Sequence, residues 1–285
     1  MSIRVMVVDD SSFSRAVIAE ALVEGGFEVV GEAESIDSLI QVYDECKPQV
    51  VTMDIAMPGA DGFECSKALI LHDPKVKIVL VSSMKDEETE QEAKRIGIAG
   101  YVQKPVEAED LVKIINSVLA PDIVYNSLEE WAIGVFQEAM EQSITRMTKT
   151  TAVVKVGQSL NHAVSQGVTV VIGIIGKYSG NMIVDLSVEA SENLSKIVLR
   201  RDAKNSEEVV ALVAEFANVV GGVACSMLNK KEKAFGLRVA PPSVFYGKET
   251  QIVSPNIQCR VLEVEADFGQ MTLSVGFKKG SVLWM

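Results

Sequence analysis

The chain is poor in the residue types from which many sites are built. Its 285 residues include two histidines, His72 and His162, and four cysteines, Cys46, Cys65, Cys225 and Cys259. No two of the cysteines form a CxxC pair, which sets aside the common metal and dithiol motifs. Reduced thiols in a cytoplasmic protein are the plain expectation. Neither histidine has an identifiable Ser or Cys partner, so a nucleophilic hydrolase is poorly supported and both read as surface residues. No apolar run is expected to approach the length of a bilayer span. Met1 to Asp10 runs into two acids without a cleavage-like site. Low-complexity segments and short-period repeats are also lacking.

Positive charge is scarce too. The formal net charge is −12, unevenly placed: residues 1–120 hold 11 Lys and Arg against 22 Asp and Glu, and the rest hold 16 against 17. With no cationic surplus to hold a phosphate backbone, a DNA-binding output is disfavoured. What is present is ordinary globular material, 48% apolar and 23% charged, in a chain long enough for two domains with separate cores.

The first half alternates in a regular way. Strand-like runs at residues 3–8, 28–31, 50–53, 77–82 and 100–102 are separated by amphipathic helical stretches, the last over Leu111 to Leu119. This predicts an α/β fold, a doubly wound five-stranded parallel sheet covered on both faces. Pro121 is expected to end the last helix, with residues 121–126 as linker between domains at 1–120 and 127–285. The second half predicts an α+β domain. Long helices are expected near 124–147 and 206–230, strands at 151–156, 167–175 and 181–186, and a hairpin of 258–265 with 271–277.

In a doubly wound sheet, the working crevice lies beyond the carboxyl ends of the strands. Asp9 and Asp10 end the first strand, Asp54 the third and Ser82 the fourth, and Lys104 follows the fifth. Acids at strand ends are ordinarily solvated loop residues, but five groups of these types on one edge point to a site. Three converging carboxylates need a cation, and short oxygen ligands suit Mg²⁺. Lys104 and the Ser82 hydroxyl can then hold phosphate oxygens.

These residues carry a resemblance. Residues 1–120 are similar to the CheY-like receiver family, through Asp9-Asp10, Asp54 with Pro58 four residues on, Ser82-Ser83 and Lys104-Pro105. The resemblance implies that Asp54 accepts a phosphoryl group from a sensor histidine kinase. It also implies that Asp10 and Asp54, with the Ala56 carbonyl and beside Asp9, hold Mg²⁺, and that Tyr101 is a switch aromatic. An edge-packing tyrosine is the plainer alternative for Tyr101. Ala56 and Met84, each two positions past a key residue, are apolar and cannot orient water, so slow self-hydrolysis is expected.

The second long helix carries Glu215, Asn218 and Gly222 on one face. Periodicity alone allows an exposed polar stripe with glycines for close helix packing. The second half nevertheless resembles the CheX/CheC family, through Gly180-Asn-Met-Ile-Val-Asp-Leu-Ser, the single Glu215-x-x-Asn218, and Pro241 after 22 further residues. The resemblance implies a homodimeric phosphatase for phosphorylated receivers, with Glu215 and Asn218 as its working pair. Ala211 departs from the acidic residue or Ser often found four before the glutamate. It favours a rival reading, a non-enzymatic regulator whose second domain binds a partner or dimerises. An extended linker of about 25 Å makes action on Asp54 of the same chain demanding, so a separate receiver or another subunit is the expected substrate.

Overall fold

The computed structural model describes residues 2–59, 61–83, 87–157, 163–247, 251–252 and 257–279. The chain divides into two compact units, Met1–Asp122 and Ile123–Ser281.

In the first unit, β1 (Arg4–Val8), β2 (Glu28–Ala33), β3 (Val50–Asp54), β4 (Ile78–Ser82) and β5 (Gly100–Gln103) form one sheet in the order β2-β1-β3-β4-β5. All neighbouring pairs are parallel. The helices α1 (Ser12–Glu24), α2 (Ile36–Cys46), α3 (Gly62–His72), α4 (Glu87–Ile96) and the first part of α5 (Ala108–Thr148) connect or follow the strands. β3 and β4 are buried along their whole length, as strands covered on both faces must be. Two apolar clusters flank the sheet, one around Met6, Leu39 and Met53, the other around Val7, Leu22 and Ile115.

Helix α5 corrects the expectation at the junction. It runs unbroken through Pro121 and residues 121–126. A proline inside a helix removes one backbone hydrogen bond and costs about 3 kcal/mol, which local reasoning takes as a stop. Here the apolar positions on both sides of Pro121 are buried, Leu111, Ile115 and Leu119 in one core and Leu128, Ala132 and Phe136 in the other. That packing outweighs the local penalty.

The second unit is built on an antiparallel sheet ordered β10-β8-β9-β14-β13-β6, with β11 also pairing β8. Its strands are β6 (Ala152–Val156), β8 (Gly167–Ile175), β9 (Gly180–Ser187), β10 (Arg238–Val239), β11 (Ser243–Tyr246), β13 (Arg260–Ala266) and β14 (Gly269–Phe277). A separate pair joins β7 (Ala163–Val164) to β12 (Gln251–Ile252). The hairpin of β13 and β14 turns on two residues, Asp267 and Phe268, before Gly269 at φ 121°. Glycine accepts that angle without strain.

Helices α6 (Val188–Leu199) and α7 (Ser206–Lys231) pack on this sheet, and the second part of α5 joins the same core through Phe136, Met140 and Ile144. Ser187 caps α6 by accepting from the Ala190 amide; the sequence reading missed this helix because β9 passes into it without a breaking residue. Asn205 caps α7 by accepting from the Glu208 amide, and acids in its first turn and lysines in its last complement the helix dipole. The buried residues of α7 recur at helical spacing, including Val209, Val213, Phe216, Val220, Ala224 and Leu228. By length and composition α7 is apolar enough to cross a membrane, with mean hydropathy 1.8, contrary to the expectation that no run approaches that length. Part of that apolarity serves the core: Val213, Phe216, Val220, Ala224 and Leu228 are fully buried, and Leu212, Val223 and Met227 pack against it partly buried. Gly221 and Gly222 sit mid-helix, where glycine costs about 0.5–1 kcal/mol relative to alanine.

Candidate functional site

The sheet order reverses direction between β1 and β3, which opens a crevice beyond their carboxyl ends. Asp9 and Asp10 follow β1 directly, and Asp54 is the last residue of β3. One oxygen from each of the three carboxylates lies within 4.8 Å of the others. Asp9 and Asp54 are nearly buried, at 1% and 5% exposure, whereas Asp10 is exposed.

Lys104 answers this negative charge. Its Nζ stands 2.9 Å from Oδ2 of Asp9 and 2.9 Å from Oδ1 of Asp54. Burial alone would lower the lysine pKa, but the hydrogen bonds to Asp9 and Asp54 outweigh it and raise the value, keeping the ammonium charged. The lysine is placed by the backbone, since its own amide donates to the Ser82 carbonyl at 2.8 Å. The same carbonyl accepts from the Tyr101 hydroxyl at 3.3 Å, so the half-buried tyrosine is turned toward the strand that ends in Ser82. Ser82 is 2% exposed and Ala56 is exposed. Met84 and His162 lie outside the described residues. His72 pairs with Asp44 at 2.9 Å on the surface of the first unit.

Several residues around the pocket escaped the sequence reading. Ser14 donates from Oγ to Asp9 Oδ2 at 2.6 Å, and the Ser11 amide donates to Asp9 Oδ1 at 2.9 Å. Arg15 donates to the carbonyl oxygens of Asp9 and Asp10 at 2.9 and 3.3 Å. The start of α1 thus orients Asp9, leaving the more exposed Asp10 open. Gly62, first residue of α3, lies against Asp54; a Cβ there would collide with the Asp54 carbonyl. A run of serines after two acids was the available signal for the first group. Nothing local marks Gly62, because the approach is between residues eight apart.

The donor set fits a hard divalent cation: three carboxylates converge, one of them exposed, on an edge open to water and phosphate. With its charge compensated by Lys104, the pocket can present one carboxylate oxygen of Asp54 as a nucleophile and receive the charge of a phosphoryl group.

The second candidate site is the outer face of α7. Glu215 is exposed and Asn218 half-buried, while Phe216, Ala217 and Val220 between and beside them face the core. Among the described residues, neither the carboxylate nor the amide has a hydrogen-bond or ion-pair partner. Ala211, one turn before Glu215, is exposed. Pro241 lies between β10 and β11, which pack beside α7.

Different families of known proteins match the two halves of the chain. The response regulator receiver domain family matches residues 5–116, and the family described as chemotaxis phosphatase CheX matches residues 168–265. The chemotaxis protein CheY of Thermotoga maritima is 35% identical over 118 residues, 41% of this chain and 98% of that protein. CheY of Bacillus subtilis is 36% identical over 119 residues, 42% of this chain and 99% of that protein. A solved structure of the chemotaxis protein CheX from Desulfovibrio desulfuricans is 21% identical, with a TM-score of 0.46, covering 51% of this chain and 97% of that one. The chain belongs to the response-regulator receiver family, with a CheY-like receiver fused to a CheX-like domain.

Proposed function

We propose that the chain is a phospho-accepting response regulator whose CheX-like domain hydrolyses the aspartyl phosphate of a receiver. In the first unit Asp54 attacks the phosphoryl group of a phosphohistidine on a sensor kinase, and the histidine leaves. Asp10 and Asp54, with the Ala56 carbonyl and beside Asp9, would hold Mg²⁺. Bound there, the ion neutralises carboxylate and phosphoryl oxygens. Lys104 and the Ser82 hydroxyl take the remaining phosphate oxygens, and Tyr101 reports the change at Ser82.

In the second unit, Asn218 orients a water in line with the phosphorus of a partner receiver. The water oxygen bonds to phosphorus, the bond to the aspartyl oxygen breaks, and inorganic phosphate leaves with the carboxylate restored. An acyl phosphate is already activated, so positioning supplies most of what hydrolysis lacks. A side-chain amide does this without a change of charge. Glu215 pairs with the lysine of the target receiver, the counterpart of Lys104, and holds α7 in place. The observation that carries the reading is the pair itself: a carboxylate and an amide stand on the solvent face of a core helix with no partner among the described residues. The substrate is a separate receiver or the receiver of a second copy in a homodimer, in the cytoplasm and in chemotaxis signalling.

Exposed Ala211 supports a second reading, in which the domain only binds a partner or dimerises. The lifetime of phosphorylated Asp54 separates the two. It is measured with Mg²⁺ in the intact chain and in Asn218→Ala over a range of protein concentrations, and on added phosphorylated CheY. A longer lifetime in the variant establishes the phosphatase, and dependence on concentration establishes action between chains. Identical lifetimes on every receiver leave the binding module.

A further inference from the structure

Two glycines stand side by side in the middle of α7, and only one has a packing reason among the described residues. A Cβ on Gly221 would lie 2.9 Å from Val239 Cγ1 and 3.2 Å from Met182 Cε, so the sheet side of the helix needs a small residue there. A Cβ on Gly222 would meet nothing within 4 Å. Neither glycine has a positive φ. Gly222 therefore sits in a helix interior that favours alanine, with neither a conformational nor an internal steric demand for glycine.

Its position suggests an external demand. Gly222 follows Asn218 by four residues, one turn along the same face, and it is half-exposed. In the receiver pocket of this chain the phospho-accepting residue is only 5% exposed and its neighbour Asp9 only 1%. Asparagine is a short side chain. For its amide to reach an aspartyl phosphate in a pocket of this kind, the helix backbone must come close to the pocket rim. The residue one turn on then faces the rim directly. Ala214, one turn before Asn218, leaves only a methyl group on the other side.

We propose that Gly222 is a specificity-determining residue for receiver dephosphorylation: its missing side chain provides the clearance that lets α7 seat against the rim of a phosphorylated receiver. The inference rests on the proposed function and adds the steric condition under which Asn218 can act.

The test uses full-length chains. The enzyme carries Asp54→Asn, alone or with Gly222→Ala or Gly222→Leu. The substrates are the Asn218→Ala chain and Thermotoga maritima CheY, each phosphorylated with acetyl phosphate. The same proteins loaded with beryllofluoride serve for binding. Gly222→Ala is expected to raise Tm and keep kcat/KM within about threefold. Gly222→Leu is expected to keep the Tm of the parent while kcat/KM and affinity fall about tenfold or more. A Gly222→Leu protein with unchanged binding and KM overturns the proposal. A parent that binds loaded receivers without hydrolysing them removes the phosphatase reading alone, and the binding comparison still decides the role of Gly222. A parent that neither binds nor hydrolyses overturns both.

Discussion

The ammonium of Lys104 stands 2.9 Å from Oδ1 of Asp54. In the resting protein the lysine holds together the nearly buried carboxylates of Asp9 and Asp54. Replacing it with methionine keeps the aliphatic stem and leaves both acids without their cation. Lys104→Met is expected to lower stability by about 1–3 kcal/mol in metal-free buffer. Mg²⁺ should restore part of that loss, since a ligand bound only by the folded state adds to its stability. Urea denaturation with and without Mg²⁺ measures both effects. Equal loss in the two buffers would show that the carboxylates do not share the ion.

Gly62 gives a steric prediction at the same pocket. A Cβ at this position would run into the Asp54 carbonyl, a backbone group that cannot turn aside. Gly62→Ala is therefore expected to cost about 1–3 kcal/mol and to slow phosphorylation by acetyl phosphate, because β3 must shift at its last residue. Thermal unfolding and phosphorylation rates check the two consequences. A variant with normal stability would mean that the start of α3 relaxes freely.

Ala56 bears on how long the signal lasts. It is exposed, two residues beyond Asp54, with no group that can hold a water. The acyl phosphate on Asp54 of the Asn218→Ala chain should persist for minutes or longer. Ala56→Asn should shorten its half-life by about threefold to tenfold by positioning water. Loss of label after rapid removal of phosphodonor gives the half-life directly; one of seconds in the parent would reject this account.

Much of the architecture was legible because periodicity and strand-end chemistry are local. The order of strands and helices in the first half follows from alternating runs, and Asp9, Asp10, Asp54, Ser82 and Lys104 all fall at strand ends on one edge. What escaped were relations between segments. The continuation of α5 through Pro121 depends on burial in two separate cores. The collision that demands Gly62 lies in tertiary contact with Asp54. The periodicity of α7 puts Glu215, Asn218 and Gly222 together but cannot say that Gly221, not Gly222, meets the sheet.

Glu215 and Asn218 should separate in kinetics, because docking and water positioning are distinct steps. Glu215→Ala is expected to raise KM for a phosphorylated receiver and to lower kcat/KM by about tenfold to a hundredfold. Asn218→Ala should remove nearly all turnover, about a hundredfold or more, with little change in affinity. Steady-state phosphate release and binding of beryllofluoride-loaded receiver read the two effects separately. Equal losses of affinity in both variants would make the pair a docking contact only.

Asp185 offers a test of the second fold that does not involve activity. It is 4% exposed on β9 and accepts from Thr169 Oγ1 at 2.6 Å, the Gln166 amide at 3.0 Å and Ser165 Oγ at 3.2 Å. Burial pushes its pKa up, and these hydrogen bonds only partly pull it back, so the net shift is upward. The folded state therefore keeps the proton to a higher pH than the unfolded chain does. Protonation favours folding between the unfolded value, about 4, and the raised folded value, and that contribution is lost as pH rises through the folded pKa. Groups such as Asp73, lowered chiefly by the hydrogen bond from Tyr43, act in the opposite sense. The informative quantity is thus the difference between parent and Asp185→Asn, in which the other acids cancel. The stability of the parent relative to the variant should decline as pH rises above about 4, as followed by Tm. A difference that stays flat, or grows with pH, would show that the three donors hold the carboxylate ionised at no cost.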